Sequence, residues 1–334
     1  MNILITSAGR RGYLIRYFKE ALKGDGNIIA GNSIDGVPAF QEADKTVVTP
    51  MVYDENYIPF LLNYCKENQV DAILSVYDVD IPVLAHHREA FGAIGTKLVI
   101  ADEEFVRICN DKWRSYLYLT EHGFKTPKTY TSLQSVKNAL SEGELHFPLI
   151  VKPRFGNGSI GLSVAYDEKE LDALFYLTEK SIYRSWLKYE SAQSDEIVVV
   201  QEMLQGDEYG LDIVNDLRGN YRNTIVKRKI AMRSGETDSA VVVDNAEAKE
   251  LGKKLAKITK HVGNLDCDVF IVNDEIYILE MNARFGGGYP FSHIAGANVP
   301  EAIVKWLRGE MVEDCLLEAK IGVKAYKDIH IKTC

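Results

Sequence analysis

Residues 268–288 read DVFIVNDEIYILEMNARFGGG. Two apolar runs flank the dipeptide Asn273-Asp274, and this pattern predicts a β-hairpin with its turn at the dipeptide. Asp268 lies on the first predicted strand and Glu280 on the second. Solvent-facing alternation on an amphipathic hairpin is the alternative interpretation.

The polar side chains of this hairpin form a set suited to a divalent cation. Asn282 follows Glu280 by two positions, so both side chains point to the same face of the strand. With Asp268 they offer two carboxylates and an amide oxygen, and Mg²⁺ prefers oxygen ligands while keeping water and phosphate in its shell. Arg284 follows on the same face, placed to meet a phosphoryl oxygen. Because these polar groups interrupt an apolar neighbourhood, they favour a metal site over a solvated strand.

A glycine-rich segment, KPRFGNGSIG at residues 152–161, follows a predicted strand. Its glycines match GxGxxG, yet residues 162–165 continue as a strand where a dinucleotide-binding motif requires a helix. No Lys-Ser or Lys-Thr follows the last glycine, which argues against a Walker loop. We interpret the segment as a hairpin that folds over phosphates, because glycines let backbone N–H groups approach an anion closely. A flexible surface turn is the alternative.

A third segment, residues 201–209, connects two predicted strands. Such a connector can offer backbone N–H and C=O groups to the edge of an adenine ring. Glu208 lies seven positions after Gln201, within reach of ribose hydroxyls. The alternative is a β-hairpin with a solvated tip.

Composition and charge narrow the classes of protein and partner. The 334 residues suit two or three small domains around one site, and the net charge of -9 argues against nucleic acid as a partner. The five cysteines are odd in number and contain no CxxC pair, which disfavours a disulfide framework or structural zinc. There is no signal-peptide pattern and no apolar run near the roughly 20 residues of a membrane span. We therefore expect a cytoplasmic protein without a membrane partner.

Apolar patterning divides the chain into three parts. Residues 1–100 alternate strands with amphipathic helical stretches and predict a doubly wound parallel sheet, whose ligands would meet the loops 7–11 and 77–80 at the carboxyl ends of strands. Residues 101–195 combine linker helices with the glycine-rich hairpin. Residues 196–334 contain long antiparallel strands and the predicted metal site. The predicted fold class is α/β followed by α+β.

Placed in order, these segments resemble the ATP-grasp superfamily, particularly its carbamoyl-phosphate-synthase-like and carboxylate–amine ligase branches. The resemblance covers residues 100–310, and residues 1–100 look like the usual pre-ATP-grasp domain. It implies an ATP-grasp fold and an ADP-forming ligase that activates a carboxylate as an acyl phosphate and passes it to an amine. The implied cofactors are ATP and two Mg²⁺ ions, with Mn²⁺ as a substitute. The implied partners are small-molecule acids and amines, and a homodimer remains open.

The resemblance also implies a role for each matching residue. The implied nucleotide-binding residues are Lys112, Lys152, Gly156, Asn157, Gly158, Ser159, Gly161, Gln201, Glu202, Met203, Leu204 and Glu208. Either Gln201 or Glu202 would face the adenine amino group. The implied metal ligands are Asp268, Glu280 and Asn282, and the implied catalytic residues are Arg284, Lys152 and Arg233. From the sequence alone, Lys112 also fits a helix-surface charge, and Arg233 an exposed loop.

Two residues depart from the family pattern, and several alternatives for substrate and function are open. Gln201 stands where many members have Glu, and Asp268 has a shorter reach than the Glu usual at its position. The N-terminal loops are expected to select the substrates, with Arg10 or Arg11 holding a carboxylate and Asp78 or Asp80 an ammonium. Other functions left open are a carbamoyl-phosphate-like synthase acting on bicarbonate and a nucleotide-binding module without turnover.

Overall fold

The computed structural model describes residues 1–156, 158, 160–192, 194–233 and 235–328. The strands of this part of the chain form a parallel five-stranded sheet and two further sheets of four and six strands. The expected combination of an N-terminal parallel sheet with antiparallel sheets is therefore confirmed. Among the described residues, no helix has the length and apolar character required to cross a membrane.

The N-terminal sheet has the order β3-β2-β1-β4-β5. Its strands are β1 (Asn2–Thr6), β2 (Asn27–Asn32), β3 (Lys45–Val48), β4 (Ala72–Ser75) and β5 (Lys97–Leu98). The helices between them are α1 (Gly12–Leu22), α2 (Tyr57–Glu67), α3 (Asp80–His86) and α4 (Arg88–Ala93). Ile3, Leu4 and Ile5 of β1 are fully buried because helices and neighbouring elements cover both faces of a parallel sheet.

Two helices follow, α5 (Glu103–Asn110) and α6 (Lys112–Glu121). The chain breaks at Asp111, whose side chain accepts hydrogen bonds from the backbone N–H groups of Trp113 and Arg114. This N-cap satisfies donors that the first turn of a helix leaves free. The break makes Lys112 the first residue of α6.

The four-stranded sheet has the order β6-β9-β7-β8. Its elements are β6 (Thr129–Tyr130), α7 (Leu133–Ser141), β7 (Leu149–Pro153), β8 (Ser163–Ala165), α8 (Glu168–Tyr183), α9 (Leu187–Ser191) and β9 (Val198–Glu202). β7 and β8 pair antiparallel, with Leu149 opposite Ala165. The glycine-rich segment therefore connects two strands, as predicted, and opens no helix.

The six-stranded sheet has the order β14-β13-β10-β11-β12-β15. Its strands are β10 (Asp207–Asn215), β11 (Tyr221–Arg233), β12 (Glu236–Val242), β13 (Gly263–Val272), β14 (Glu275–Asn282) and β15 (Lys324–Tyr326), and its helices are α10 (Ala246–Thr259), α11 (Tyr289–Ile294) and α12 (Val299–Leu307). Asn273 and Asp274 both have positive φ, at 49° and 64°, which fits a tight hairpin turn. The predicted hairpin is confirmed.

Packing joins the N-terminal sheet to the six-stranded sheet and leaves the four-stranded sheet more separate. One buried cluster contains Leu4 and Ile73 of the N-terminal sheet together with Leu265 and Met281 of β13 and β14. The four-stranded sheet instead packs its own cluster, which includes Val151 and Leu187. The loops at the ends of β1 and β4 are thus held in a fixed position against the β13–β14 hairpin.

Candidate active site

A cavity of about 150 Å³ lies where the loops after β1 and β4 meet the β13–β14 hairpin. Residues from both halves of the chain line it, including Arg11, Asp78, Lys229, Glu280 and Arg284. Ligand sites of open α/β sheets form at the carboxyl ends of the strands, and both loops stand at such ends. The cavity therefore combines the N-terminal sheet with the hairpin that carries the predicted metal ligands.

The hairpin brings the predicted metal ligands to one cavity wall. Asp268 lies directly opposite Glu280, and Asp266 opposite Asn282, in the β13–β14 register. All four side chains line the cavity. Asp266 was not identified from the sequence, although its two-residue spacing from Asp268 places both on the same face of β13.

Arg284 is fixed by two carboxylates. Its Nη2 lies 2.9 Å from Asp78 Oδ2, and its Nη1 lies 3.0 Å from Asp266 Oδ2. Burial alone lowers the pKa of a guanidinium, but Asp78 and Asp266 outweigh that effect and the pKa of Arg284 is raised. Its buried Nε has no hydrogen-bond partner among the described residues. A fixed cation with an unused donor is suited to bind an anion.

Lys229 is a cavity residue that sequence reasoning missed. Its Nζ lies 2.7 Å from Glu208 Oε1 and 2.7 Å from Asp268 Oδ1. Burial lowers the pKa of Lys229, but both carboxylates outweigh burial, so the net shift is upward. Lys229 thereby links the predicted ribose ligand to a predicted metal ligand. The run Lys227-Arg228-Lys229 inside an apolar strand was the available signal.

The donor set fits a hard divalent cation. Asp268, Glu280 and Asn282 offer only oxygen donors, as Mg²⁺ prefers. Within the described ranges, no group of three or more His, Cys, Asp or Glu side chains is arranged to hold a metal ion. An ion at the hairpin would therefore depend on the Asn282 amide oxygen and on oxygen atoms supplied from outside the chain.

Two lysines converge on the glycine-rich segment. Lys152 on β7 is buried, which lowers its pKa to about 8, and the positive charge of Lys112 acts in the same direction. The Lys112 ammonium donates a hydrogen bond to the Gly156 carbonyl. Arg154 holds Asp111, the cap of α6, with two contacts of 2.7 Å. Two ammonium groups whose charges act on each other favour binding of a polyanion.

The other predicted nucleotide-binding residues lie after β7 and around the end of β9. Gly156, Gly158 and Gly161 all have positive φ, whereas Asn157 and Ser159 lie outside the described residues. Gln201 is buried, and its amide donates to Thr129 Oγ1 at 2.9 Å.

The connector after β9 has mixed exposure. Glu202 Oε2 accepts from the Lys128 backbone at 3.3 Å, Met203 is exposed and Leu204 is half-buried. The assignment of this connector to adenine stays a prediction.

Asp80 and Arg233 were expected near the substrate, but neither lines the cavity. Asp80 is fully buried and accepts hydrogen bonds from Tyr57 at 2.6 Å and Ser75 at 2.7 Å, so it stabilises the loop after β4 and is not open to an ammonium. Arg233 is exposed and pairs with Asp238, outside the lining of the cavity. Arg11 lines the cavity, whereas Arg10 is exposed.

Residues 109–288 match the family model described as ATP-grasp domain, which covers more than half of the chain. Together with the fold and the cavity, this match shows that the chain belongs to the ATP-grasp family. Residues 3–99 match a second model, described as PylC-like, N-terminal domain. The resemblance inferred from the sequence is confirmed.

Individual relatives are distant. The carbamoyl phosphate synthase large chain of Pseudothermotoga lettingae is 22% identical over 288 residues, which are 82% of this chain but 24% of that protein. The biotin carboxylase structure of Campylobacter jejuni has a TM-score of 0.74 at 17% identity, covering 95% of this chain and 73% of that one. The L-amino acid ligase structure of Bacillus licheniformis has a TM-score of 0.70 at 18% identity, covering 92% and 75%. This chain thus spans about a quarter of the synthase relative.

Proposed function

We propose that this protein is an ATP-dependent, ADP-forming ligase that activates a carboxylate as an acyl phosphate and transfers the acyl group to an amine. The observation that carries the proposal is that Arg284, held by Asp78 and Asp266, lines one cavity together with Asp268, Glu280 and Asn282. A buried cation beside oxygen-only metal donors suits phosphoryl transfer to an acid. The L-amino acid ligase structure of Bacillus licheniformis, which has the same fold, supports the ligase function.

In this proposal the chain holds ATP through its lysines and its glycine-rich segment. Lys112 and Lys152 neutralise the phosphates, while residues 156–161 cover them with backbone N–H groups. Glu208 binds ribose hydroxyls, positioned by Lys229, and the connector 201–204 contacts adenine.

Two Mg²⁺ ions, or Mn²⁺ as a substitute, would be held by Asp268, Glu280 and Asn282. Bound there, a divalent ion supplies neutralisation of phosphate charge. The biotin carboxylase domain of Hydrogenobacter thermophilus 2-oxoglutarate carboxylase, solved with MgADP, has a TM-score of 0.73 at 17% identity and supports the nucleotide and the ion as ligands.

The chemistry proceeds in two steps. The substrate carboxylate attacks the γ-phosphorus of ATP, and ADP leaves. Arg284 stabilises the negative charge on the transferring group, and Lys152 stabilises that on the phosphates. The amine then attacks the acyl carbon and expels inorganic phosphate, so no protein nucleophile is required. Positioning and electrostatics provide most of the catalysis in such transfers.

Phosphorylation of bicarbonate is the second candidate function, because the relative from Pseudothermotoga lettingae is a carbamoyl phosphate synthase large chain. The same residues would serve bicarbonate as the acid. This chain holds one ATP-grasp match, at residues 109–288. A nucleotide-binding module without turnover is disfavoured because the predicted metal ligands and Arg284 all line one cavity.

Hydroxylamine separates these functions. With ATP, Mg²⁺ and the correct acid, we expect a hydroxamate, because hydroxylamine intercepts an acyl phosphate. A panel of amino acids, short peptides and sugar acids is screened for ADP release and hydroxamate by mass spectrometry. ADP release that depends on bicarbonate alone, without an organic acid, would replace the ligase by the second candidate. Absence of ADP release under every condition would favour the module without turnover.

Replacing Gly156 with Ala is expected to weaken binding of a non-hydrolysable ATP analogue about tenfold, since strained backbone positions cost about 1–3 kcal/mol. Gly156 has φ +104°, and an added Cβ would lie 2.7 Å from Leu187 Cδ2. Titration calorimetry with Mg²⁺ measures the change. Gly158→Ala is the comparison, because Gly158 also has a positive φ, +61°, but no atom lies within 4 Å of the added Cβ, so we expect a smaller loss of affinity. Equal weakening by both variants, or none by Gly156→Ala, would contradict the role given to Gly156.

A further inference from the structure

The segment containing α9 bridges two parts of the molecule. Leu187 of α9 packs in the core of the four-stranded sheet, beside Gly156. Tyr189 stacks on Tyr53 of the N-terminal part, with ring centroids 4.6 Å apart, and the Trp186 ring centroid lies 6.1 Å from that of Tyr77. These contacts bring α9, which the sequence did not single out, to the edge of the active site.

Glu190 of α9 lines a second cavity, of about 10 Å³. This cavity shares Asp78, Glu280 and Asn282 with the lining of the main cavity. The Oε2 atom of Glu190 is buried, with no hydrogen-bond partner among the described residues. An oxygen acceptor buried without a partner is costly, and native structures usually satisfy it. Glu190 thus has the properties of a group that is completed by a ligand.

The electrostatic surroundings of Glu190 favour a cation. Burial, followed by the negative charge of Asp78, raises the pKa of the Glu190 carboxyl to about 7, while Lys112 opposes the rise. The negative charge of Glu190 also reaches the phenols of Tyr53 and Tyr77, where burial comes first and this charge second in raising their pKa values. A cation entering here would relieve repulsion between two carboxylates.

An ammonium fits these surroundings better than a metal ion. Asp78 is already engaged by Arg284 at 2.9 Å, and Glu280 and Asn282 are the proposed ligands of the divalent ion, so Glu190 is the carboxylate left for a second cation. Aromatic rings beside a carboxylate, here Tyr53 and Tyr77, are instead suited to an alkylammonium group. The phosphates of ATP carry the wrong charge for this carboxylate.

We propose that Glu190 is the residue that binds the ammonium group of the amine substrate, beside the rings of Tyr53 and Tyr77, and then accepts its proton. This inference rests on the proposed ligase function. The ammonium gives one proton to the Glu190 carboxylate, and the freed lone pair forms the C–N bond at the acyl-phosphate carbon. The C–O bond to phosphate breaks, and the second N–H proton leaves with the phosphate. The products are an amide and inorganic phosphate, and Glu190 releases its proton to solvent.

The test compares two nucleophiles in Glu190→Gln. Hydroxylamine is uncharged at neutral pH and needs neither an ammonium site nor a base, so we expect hydroxamate formation to stay near the wild-type rate. For an amine, we expect KM to rise about tenfold or more, the effect of losing a charge-assisted hydrogen bond. The acid and the amine are the amino acids that support ADP release and amide formation by the wild type. Raising the pH should reduce the difference in amine KM between Glu190→Gln and the wild type, because more of the amine is then already deprotonated.

Further variants separate binding from folding. Glu196→Gln removes a carboxylate from the same connecting segment, where Glu196 is exposed, and should leave both reactions unchanged. Tyr53→Leu should raise the KM for the amine, and Tyr53→Phe should preserve it. Thermal unfolding of Glu190→Gln should match or exceed that of the wild type, since an unpartnered buried charge has been removed.

The outcomes are distinguishable. Wild-type amine kinetics in Glu190→Gln overturn the inference and leave the ligase function in place. Equal loss of hydroxamate and amide formation also overturns it, since Glu190 would then act in acid activation or in folding. The inference is also overturned if the wild type forms hydroxamate but uses no ammonium-bearing amine. Failure of the wild type to form hydroxamate with any acid overturns the proposed function, and the inference with it.

Discussion

Replacing Glu280 with Gln is expected to lower ATP-dependent ADP release on the order of a hundredfold or more, the scale of losing a principal electrostatic group at a phosphoryl-transfer site. Glu280 lies opposite Asp268 on the hairpin, and its negative charge acts on both Lys152 and Arg284. Glutamine keeps the size and the strand pairing but removes the charge that would hold a divalent ion. We expect the Mg²⁺ concentration for half-maximal activity to rise in parallel, measured by ADP release across a magnesium titration.

Glu275→Gln is the matched control for this variant. Glu275 begins the same strand, is exposed and pairs with Lys125 away from the cavity. Surface ion pairs contribute little, so activity should change by less than about twofold. Circular dichroism and thermal unfolding should be alike for both variants and the wild type. Near-normal ADP release by Glu280→Gln at low Mg²⁺ would show that the hairpin carboxylate is no metal ligand.

The elements predicted correctly from the sequence are those with local signals. The β13–β14 hairpin follows from two apolar runs around Asn273-Asp274, and its turn has the positive φ angles that this dipeptide tolerates. The absence of a helix after Gly161 follows from continued strand character over residues 162–165, and β8 begins at Ser163. In each case neighbouring residues alone favour the observed conformation, so no knowledge of long-range contacts was required.

The features that sequence reasoning missed depend on contacts between distant parts of the chain. Asp78 and Arg284 are 206 positions apart, and their ion pair exists only because the N-terminal sheet packs against the hairpin. Lys229 joins Glu208 to Asp268 across neighbouring strands β11, β10 and β13. Glu190 carries no motif, and its buried oxygen is evident only once α9 is placed beside Asp78. Spacing within one segment cannot reveal such pairs.

Replacing Arg284 with Lys is expected to lower turnover on the order of a hundredfold, although the charge is retained, because one ammonium cannot reproduce a guanidinium fork. Arg284 spans Asp78 and Asp266 at 2.9 and 3.0 Å and keeps Nε unused. A lysine ammonium has no fixed fork to hold both carboxylates and also offer a donor to the transferring phosphoryl group. We expect kcat to fall more than the affinity for the ATP analogue, as measured by steady-state kinetics and calorimetry.

Arg222→Lys is the control for this change of head group. Arg222 on β11 pairs with Asp314 at 2.7 Å, and neither residue lines the active-site cavity. Its conversion should leave kcat unchanged. Because Arg284→Lys retains a cation between Asp78 and Asp266, it should unfold within a few degrees of the wild type, which separates a loss of catalysis from a loss of folding. Turnover by Arg284→Lys equal to that of the control would mean that only the charge of Arg284 is used, and the unused Nε would then have no part in phosphoryl transfer.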